Sequence, residues 1–489
     1  MRVRFAPSPT GHLHLGGGRT ALYDYLLARQ TGGQFILRLE DSDRKRYVPG
    51  AEQELMDGLR WLGLDWDEGP DVGGPYAPYR QSELKEVYLE FARKLVESGN
   101  AFYCFCSPDR LEKVRQEQQK LKISPHYDGT CRGLDPDEAR RRVANGESHV
   151  IRFKTPKDGT ITVTDLLRGD ITVENRNLDD YIIVRSNGLA VYHLAAMVDD
   201  YQMGITHVIR GSEWLSTFPL HGHIVRAFGW PEPVWVHLSV FLKPSGKGKM
   251  SKRESTDSIQ DGHSIFIKDL EDLGYLPEAV VNWIALMGWS YDDHTEFFTM
   301  QDLIEKFNLR QLNPAPAAIN FSKLDHFNGL HIRGLEQADL AKRVKPYLEK
   351  AGYTVEDEKL MRIMPIVRER LGGLDEAPDM AGFFFRDDIT PDPQELVGKK
   401  MTPTESADAA RLALEVLESV NPFSADEAEE KMRLLVEKMG LSAGQVFGIL
   451  RMAVTGQTVS PPLFESMAII GKQKVIERVK NAIRLLDQQ

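Results

Sequence analysis

The sequence predicts an α/β protein whose N-terminal half carries an inserted α+β segment and whose C-terminal half is all helical. Three observations lead there. Strand-like and helix-like runs alternate over residues 1–90. That alternation breaks off between about 91 and 190 and then resumes. No regular strand series follows about residue 330.

The first strand is Val3-Arg4-Phe5-Ala6, and a helix reads from Thr20 to Arg29. Between them lies Pro7-Ser8-Pro9-Thr10-Gly11-His12-Leu13-His14-Leu15-Gly16-Gly17. A Pro/Gly turn between strand and helix aims backbone N–H groups and a helix N-terminus at one point, where phosphates bind well. Gln34 to Leu39 reads as a second strand ending at Glu40-Asp41-Ser42-Asp43-Arg44, and 51–63 as a helix with Leu55, Leu59 and Leu62 at helical spacing. This is the opening of a Rossmann-like parallel sheet, in which ligands sit beyond the carboxyl ends of strands. Arg4, Ser8 and Glu40 fall at such ends.

The interruption holds a cysteine-bearing segment, a basic helix from Leu111 to Lys122, and short strands at Thr160–Val163 and Ile171–Val173. The halves of the sheet resume near Val191–Leu194 and Thr206–Arg210, and Trp235–Leu238 is expected as the last strand. A glycine- and lysine-rich stretch, Lys243 to Gly248, then leads into Lys249-Met250-Ser251-Lys252-Arg253. Cations around Ser251 can neutralise charge on a transferring phosphoryl or adenylyl group. Beyond residue 255 the chain turns helical, with breaks at Asn313–Ala317, Pro391–Pro393 and Pro403. Met432, Leu435, Val436 and Met439 keep helical spacing, closed by Gly440 as a C-cap.

At 489 residues the chain is too long for one core and is expected to hold three to five domains. No run approaches the roughly 18 apolar residues of a membrane helix, and no secretory signal is read, so a cytoplasmic protein is expected. The net charge of −11 argues mildly against coating nucleic acid non-specifically, but local basic faces still allow a structured RNA partner. Three cysteines, an odd number, exclude a disulfide scaffold.

The loop from Pro7 to Gly17 and the Lys249–Arg253 stretch together resemble the two signatures of the class I aminoacyl-tRNA synthetases. Pro7-Ser8-Pro9-Thr10-Gly11 is similar to the bacterial-type glutamyl-tRNA synthetases, and the resemblance covers essentially the whole chain. It implies glutamate, ATP with Mg²⁺, and tRNA(Glu) as substrates and partners, with no membrane, and a monomer. It implies an ATP site from Pro7 to His12 with His14, Gly16 and Gly17, and from Lys249 to Arg253. His14, Lys249 and Lys252 would stabilise the phosphate charge. Arg4, Ala6, Ser8, Glu40, Tyr192 and Arg210 would hold glutamate: Arg4 with Tyr192 on the side-chain carboxylate, Glu40 and Ser8 on the ammonium. Two carboxylates and one ammonium need two cationic clamps and an acidic partner, and arginine suits planar carboxylates. Read alone, the His12/His14 pair equally caps a helix. Asp199 and Asp200 read as structural or RNA-facing.

Cys104, Cys106, Tyr127 and Cys131 resemble the structural zinc knob of some bacterial members. Zinc takes four ligands, and where many relatives place a histidine this chain has Gly133. The fourth place falls to Tyr127 or His126, or the site is empty. The implied domains are a catalytic domain at 1–90 and 191–250, an inserted acceptor-binding domain at 91–190, a stem-contact domain at 251–330, and helical anticodon-binding domains at 331–390 and 391–489. Arg368 aligns with an arginine that reads the anticodon in discriminating members, and the basic stretch from Gly471 onward is available to RNA phosphates. The rivals fit less well. A glutaminyl-tRNA synthetase typically reads Pro-Glu-Pro-Asn in the first motif and ends in β-barrels. The paralogue that glutamylates queuosine stops near residue 300. A small-molecule nucleotidyltransferase needs no long helical half, and a catalytically dead RNA-binding paralogue loses the lysines or Arg4.

Overall fold

Strand β1 (Arg2–Phe5) runs parallel to β2 (Gln34–Leu37), joined by α1 (Leu15–Gln30). Val3, Phe5, Phe35, Ile36 and Leu37 are all buried, as expected of parallel strands covered on both faces. Helix α2 (Ala51–Trp61) buries Leu55 and Leu59, with Leu62 buried just past its end, so the spacing in the sequence marks its inner face. This computed structural model describes residues 1–42, 47–248, 250 and 263–489.

After α3 (Lys85–Glu97) come β3 (Ala101–Cys104), α4 (Pro108–Lys120), α5 (Pro136–Ala144) and β4 (Val150–Phe153). Strands β5 (Thr160–Asp165) and β6 (Gly169–Glu174) form a hairpin, and β7 (Ile182–Val184) pairs with β4. The stretch from Tyr192, where the sheet was expected to resume, is instead helix α6 (Tyr192–Gln202). Its buried residues run without a gap from Leu194 to Asp200, which a helix inside the core accommodates.

The sheet resumes with β8 (His207–Gly211), followed by α7 (Phe218–Ala227) and β9 (Val234–Leu238) parallel to β8. The order β6-β5-β9-β8 joins the hairpin to this sheet, with Asp165 opposite Trp235. Thr206, leading into β8, donates its N–H to Arg2 O at 2.9 Å and so sets β1 beside β8. Strand β9 is not the last: β10 (Phe241–Leu242) follows and pairs with β11 (Ala317–Ala318).

The described residues part into two units, 1–270 with 280–321, and 271–279 with 322–489. The second is helical throughout its described residues from 322 onward, apart from turns. Thr402 caps Pro403–Ser419 through a reciprocal box with Glu405. Gly440, at φ +67°, closes Ala425–Met439, and Met432 and Val436 are buried as their spacing predicts. No described helix is long and apolar enough to cross a membrane.

Candidate active site

Helix α1 begins at Leu15, so Gly16 and Gly17 lie in its first turn and not in the preceding loop. His14 is the N-cap, and its Nδ1 accepts from the N–H groups of Gly16 at 3.0 Å and Gly17 at 3.3 Å. The imidazole therefore occupies two of the backbone donors that the sequence aims at phosphate. Accepting at Nδ1 places the ring proton on Nε2. The cap is thus made by Nδ1, and the ring's donor is the opposite nitrogen. A Cβ at Gly16 would stand 2.8 Å from His14 Cε1, and one at Gly17 would stand 2.9 Å from Leu13 Cδ1. The close approach of the cap requires glycine at 16, whereas glycine at 17 makes room for Leu13.

Arg4, Glu40, Tyr192 and Arg210 line one cavity of about 760 Å³, together with Ala6, Pro7 and Ser8. Thr10, Gly11, His12, His14, Gly16 and Gly17 continue its wall. That volume suits a nucleotide with a small second substrate. Pro9 is absent from the lining, because it packs into the protein behind the loop. His12 is exposed, paired with Glu54, and lies edge-on to Phe266. Met250 and Ile265 both reach the cavity. Lys249, Ser251, Lys252 and Arg253 lie outside the described residues.

Arg4 and Arg210, two of the arginines that line the cavity, are held differently. Arg4 is anchored on Asp200, with Nε 2.9 Å from Oδ1 and Nη2 3.4 Å from Oδ2. Burial opposes its charge, but Asp200 outweighs burial and raises its pKa. Arg210, on β8, donates Nε–H to His237 Nε2 at 3.0 Å and Nη2–H to His221 Nδ1 at 2.9 Å. Its Nη1 lies 3.4 Å from the Tyr192 hydroxyl, whose ring stacks on Trp214 at 3.9 Å between centroids. Among the described residues Arg210 forms no ion pair, and burial lowers its pKa. A buried guanidinium without a carboxylate carries a costly unpaired charge, which an anionic ligand can offset.

Arg38, at the end of β2, gave no functional signal in the sequence beyond being a charge between Leu37 and Leu39. It is wholly buried, 2.7 Å from Asp200, 3.6 Å from Asp199 and 3.4 Å from Glu40. The contact to Glu40 is loose, so burial prevails and pushes the Glu40 carboxyl up to about 7. Asp200, held by two arginines, stays below the usual range despite burial. Asp199 and Asp200 are 1% and 5% exposed, which removes the RNA-facing alternative and leaves the structural one. Arg19 was also missed. It lines the cavity, donates to the Ser239 and Met287 carbonyls, and lies 4.1 Å over the Phe241 ring.

Away from the cavity, the thiols of Cys104, Cys106 and Cys131 lie within 4.8 Å of one another. Cys106 and Cys131 are 3.6 Å apart, and a tetrahedral zinc with bonds of ~2.3 Å sets sulfurs about 3.8 Å apart. The Tyr127 hydroxyl is 3.5 Å from Cys104 and 3.7 Å from Cys106, and accepts from Cys131 N–H at 2.7 Å. Burial alone would raise the Cys104 thiol, but hydrogen bonds from Tyr127, the Cys106 backbone and Arg152 hold it below its ordinary value. His126 is exposed, with its Nδ1 2.9 Å from the Ser124 carbonyl, and does not join the cluster.

In the helical unit Arg368 is half-buried and donates to the Leu335 carbonyl at 2.8 Å. The basic stretch expected to be available to phosphates is largely engaged within its own unit. Arg478 is 4% exposed and donates to the carbonyls of Val454, Phe383 and Arg386. Lys472 donates to backbone carbonyls, while Lys474 and Lys480 pair with Asp387 and Glu418.

Residues 1–326 match the family described as tRNA synthetases class I (E and Q), catalytic domain, and residues 339–483 match an anticodon binding domain. The chain is 44% identical to a glutamate--tRNA ligase of Roseiflexus castenholzii, over 99% of this chain and 96% of that protein. It is 43% identical to one of Dehalococcoides mccartyi, over 100% and 98%. The fold is similar to a crystal structure of a glutamate tRNA ligase from Elizabethkingia meningosepticum in complex with its amino acid. The TM-score is 0.89, at 36% identity over 99% of both chains.

Proposed function

Because the chain belongs to the class I tRNA synthetases of the glutamate and glutamine branch, as a full-length relative of the glutamate–tRNA ligases, we propose that its cavity joins L-glutamate to tRNA(Glu) at the expense of ATP. A glutamate carboxylate oxygen attacks the α-phosphorus of ATP. The new C–O–P linkage forms as the bond to pyrophosphate breaks. A ribose hydroxyl of the 3′-terminal adenosine of the tRNA then attacks the acyl carbon, and AMP leaves.

The observation that carries this reading is Arg210, a buried cavity guanidinium supported only by neutral acceptors among the described residues. It takes one glutamate carboxylate, Arg4 with Tyr192 takes the other, and Glu40 with Ser8 takes the ammonium. Ala6 forms part of the wall beside them. The His14 Nε2–H donates to phosphate oxygens as charge builds on them, where such a donor contributes most. The loop from Pro7 to His12 with Gly16 and Gly17 cradles the nucleotide, and the charge of its phosphates is neutralised by the stretch Lys249, Met250, Ser251, Lys252 and Arg253. Mg²⁺ accompanies ATP as counter-charge.

Cys104, Cys106, Cys131 and the Tyr127 oxygen would hold a structural Zn²⁺, which would tie β3 to the loop after α4 and supply no chemistry to the reaction. Residues 1–90 with 191–250 form the catalytic domain, 91–190 meet the acceptor end, and 251–330 meet the stem. Residues 331–390 and 391–489 meet the anticodon, with Arg368 contributing to its readout. The enzyme works in the cytoplasm as a monomer.

ATP–pyrophosphate exchange with glutamate, with and without tRNA, tests the reading. Exchange is expected to require glutamate and to favour it over glutamine. Exchange that depends on neither glutamate nor tRNA ends the proposal.

A further inference from the structure

Arg4 and Arg210 reach the same cavity, yet of the two only Arg4 spends its charge on a carboxylate of the protein. Arg4 is held by the Asp200 carboxylate. Arg210 is held by His237, His221 and Tyr192. The histidines continue outward on both sides. His237 Nδ1 lies 2.8 Å from Asp165 Oδ2, and His221 Nε2 lies 2.9 Å from His193 Nδ1.

Arginine only donates, which dictates the proton positions along both arms. His237 Nε2 and His221 Nδ1 must be acceptors. The His237 proton then sits on Nδ1, facing Asp165, and the His221 proton on Nε2, facing His193. Each ring is neutral when it supports Arg210. His221 and His237 are 0% exposed, and burial, first among the causes, lowers the pKa of both. Asp165 is itself committed. Its Oδ1 accepts from the N–H groups of Leu167 and Arg168, and its Oδ2 from the His237 N–H and ring. It orients His237 and cannot turn to neutralise Arg210.

We propose that His221 and His237, oriented by His193 and Asp165, are positioning residues that aim the Arg210 guanidinium while leaving its charge uncompensated for a carboxylate of the amino acid substrate. This rests on the reading of the cavity as a glutamate site. It gives the β5–β6 hairpin, which the sequence assigns to the insertion, a part in amino acid binding through Asp165 at the end of β5.

The test compares His221→Asn with His221→Asp in the full chain. Asn Oδ1 and Asp Oδ1 both stand where His221 Nδ1 accepts, so the two variants differ almost only in charge. KM values for glutamate and for ATP come from pyrophosphate exchange with tRNA present, alongside melting curves. His221→Asp is expected to raise the glutamate KM by at least roughly thirtyfold over His221→Asn, as the acid competes with substrate for Arg210. The ATP KM should stay within about twofold in both, since Arg210 is not assigned to the nucleotide. A merely space-filling His221 would leave Asn and Asp alike, and equal glutamate KM values overturn the proposal. Should either variant fail to fold, His237→Gln against His237→Glu makes the same comparison at Nε2. Wild-type protein that shows no glutamate-dependent exchange would overturn the glutamate reading itself, whereas active wild type with matched variants overturns this inference alone.

Discussion

Glutamate binding is expected to weaken about tenfold between pH 8 and pH 6 because of the single carboxyl of Glu40. Burial pushes that group from its usual 4.5 to about 7, and its nearest cation, Arg38, is 3.4 Å away and shared with Asp199 and Asp200. If the ionised form takes the substrate ammonium, apparent KM scales as one plus 10 raised to pKa minus pH. That factor is about 11 at pH 6 and about 1.1 at pH 8. His193, with its pKa lowered to about 4, and His221, held well below its ordinary value by burial, remain neutral across this range.

The same shift has a second consequence, with the opposite pH trend. A group whose folded pKa is raised contributes stability that is complete below 4.5 and lost as pH rises through about 7. The loss attributable to Glu40 is about 3 kcal/mol. All seven tryptophans fall in the unit of 1–270 with 280–321, so fluorescence during urea unfolding reports that unit alone. Glu40→Gln keeps the shape and removes the proton. The variant should show a flat glutamate KM from pH 6 to 8 at saturating ATP. Its stability should lack the decline that the wild type shows. A flat wild-type KM, or a slope that survives in the variant, would refute the reasoning.

Arg38→Leu strips the shared cation from three buried acids and should lower the urea stability of the tryptophan-bearing unit by about 3–5 kcal/mol; a loss under about 1 kcal/mol would mean the acids do not depend on it. Lys252→Ala should depress glutamyl-adenylate formation far more than tRNA binding, and equal losses in the two assays would remove Lys252 from phosphate neutralisation. Purified protein should carry one zinc per chain by elemental analysis, Cys131→Ser should lose it, and Tyr127→Phe should weaken it against a chelator by roughly 10-fold or more. Full zinc retention in Cys131→Ser would exclude the cluster as its site.

Much of the catalytic half is readable from short-range pattern. The alternation of Val3, Phe5 and Phe35–Leu37 with the Leu55/Leu59/Leu62 face corresponds to β1, β2 and α2. The three cysteines do gather. The stretch from Tyr192 was harder, because a short apolar run buried on every side has no period that separates strand from helix. The partners of the basic C-terminal stretch were hidden for a related reason. Charge is visible in a sequence, but a lysine bound to a carbonyl fifty residues away is not.

What the amino-acid order determined by itself is therefore the local chemistry. A Pro/Gly loop sits before a helix, His14 is placed to cap it, and Gly16 is small enough to let it do so. Those contacts span a few residues and depend on no distant partner. Only the tertiary structure decided what each buried charge means. Arg4 and Arg210 are the same residue type on neighbouring strands. Folding brings an aspartate 196 positions away to the first and two histidines, 11 and 27 positions away, to the second. In a low-dielectric interior the partner sets the net charge left for a ligand. One guanidinium charge is thus offset by a carboxylate of the protein, while the other meets only neutral acceptors among the described residues.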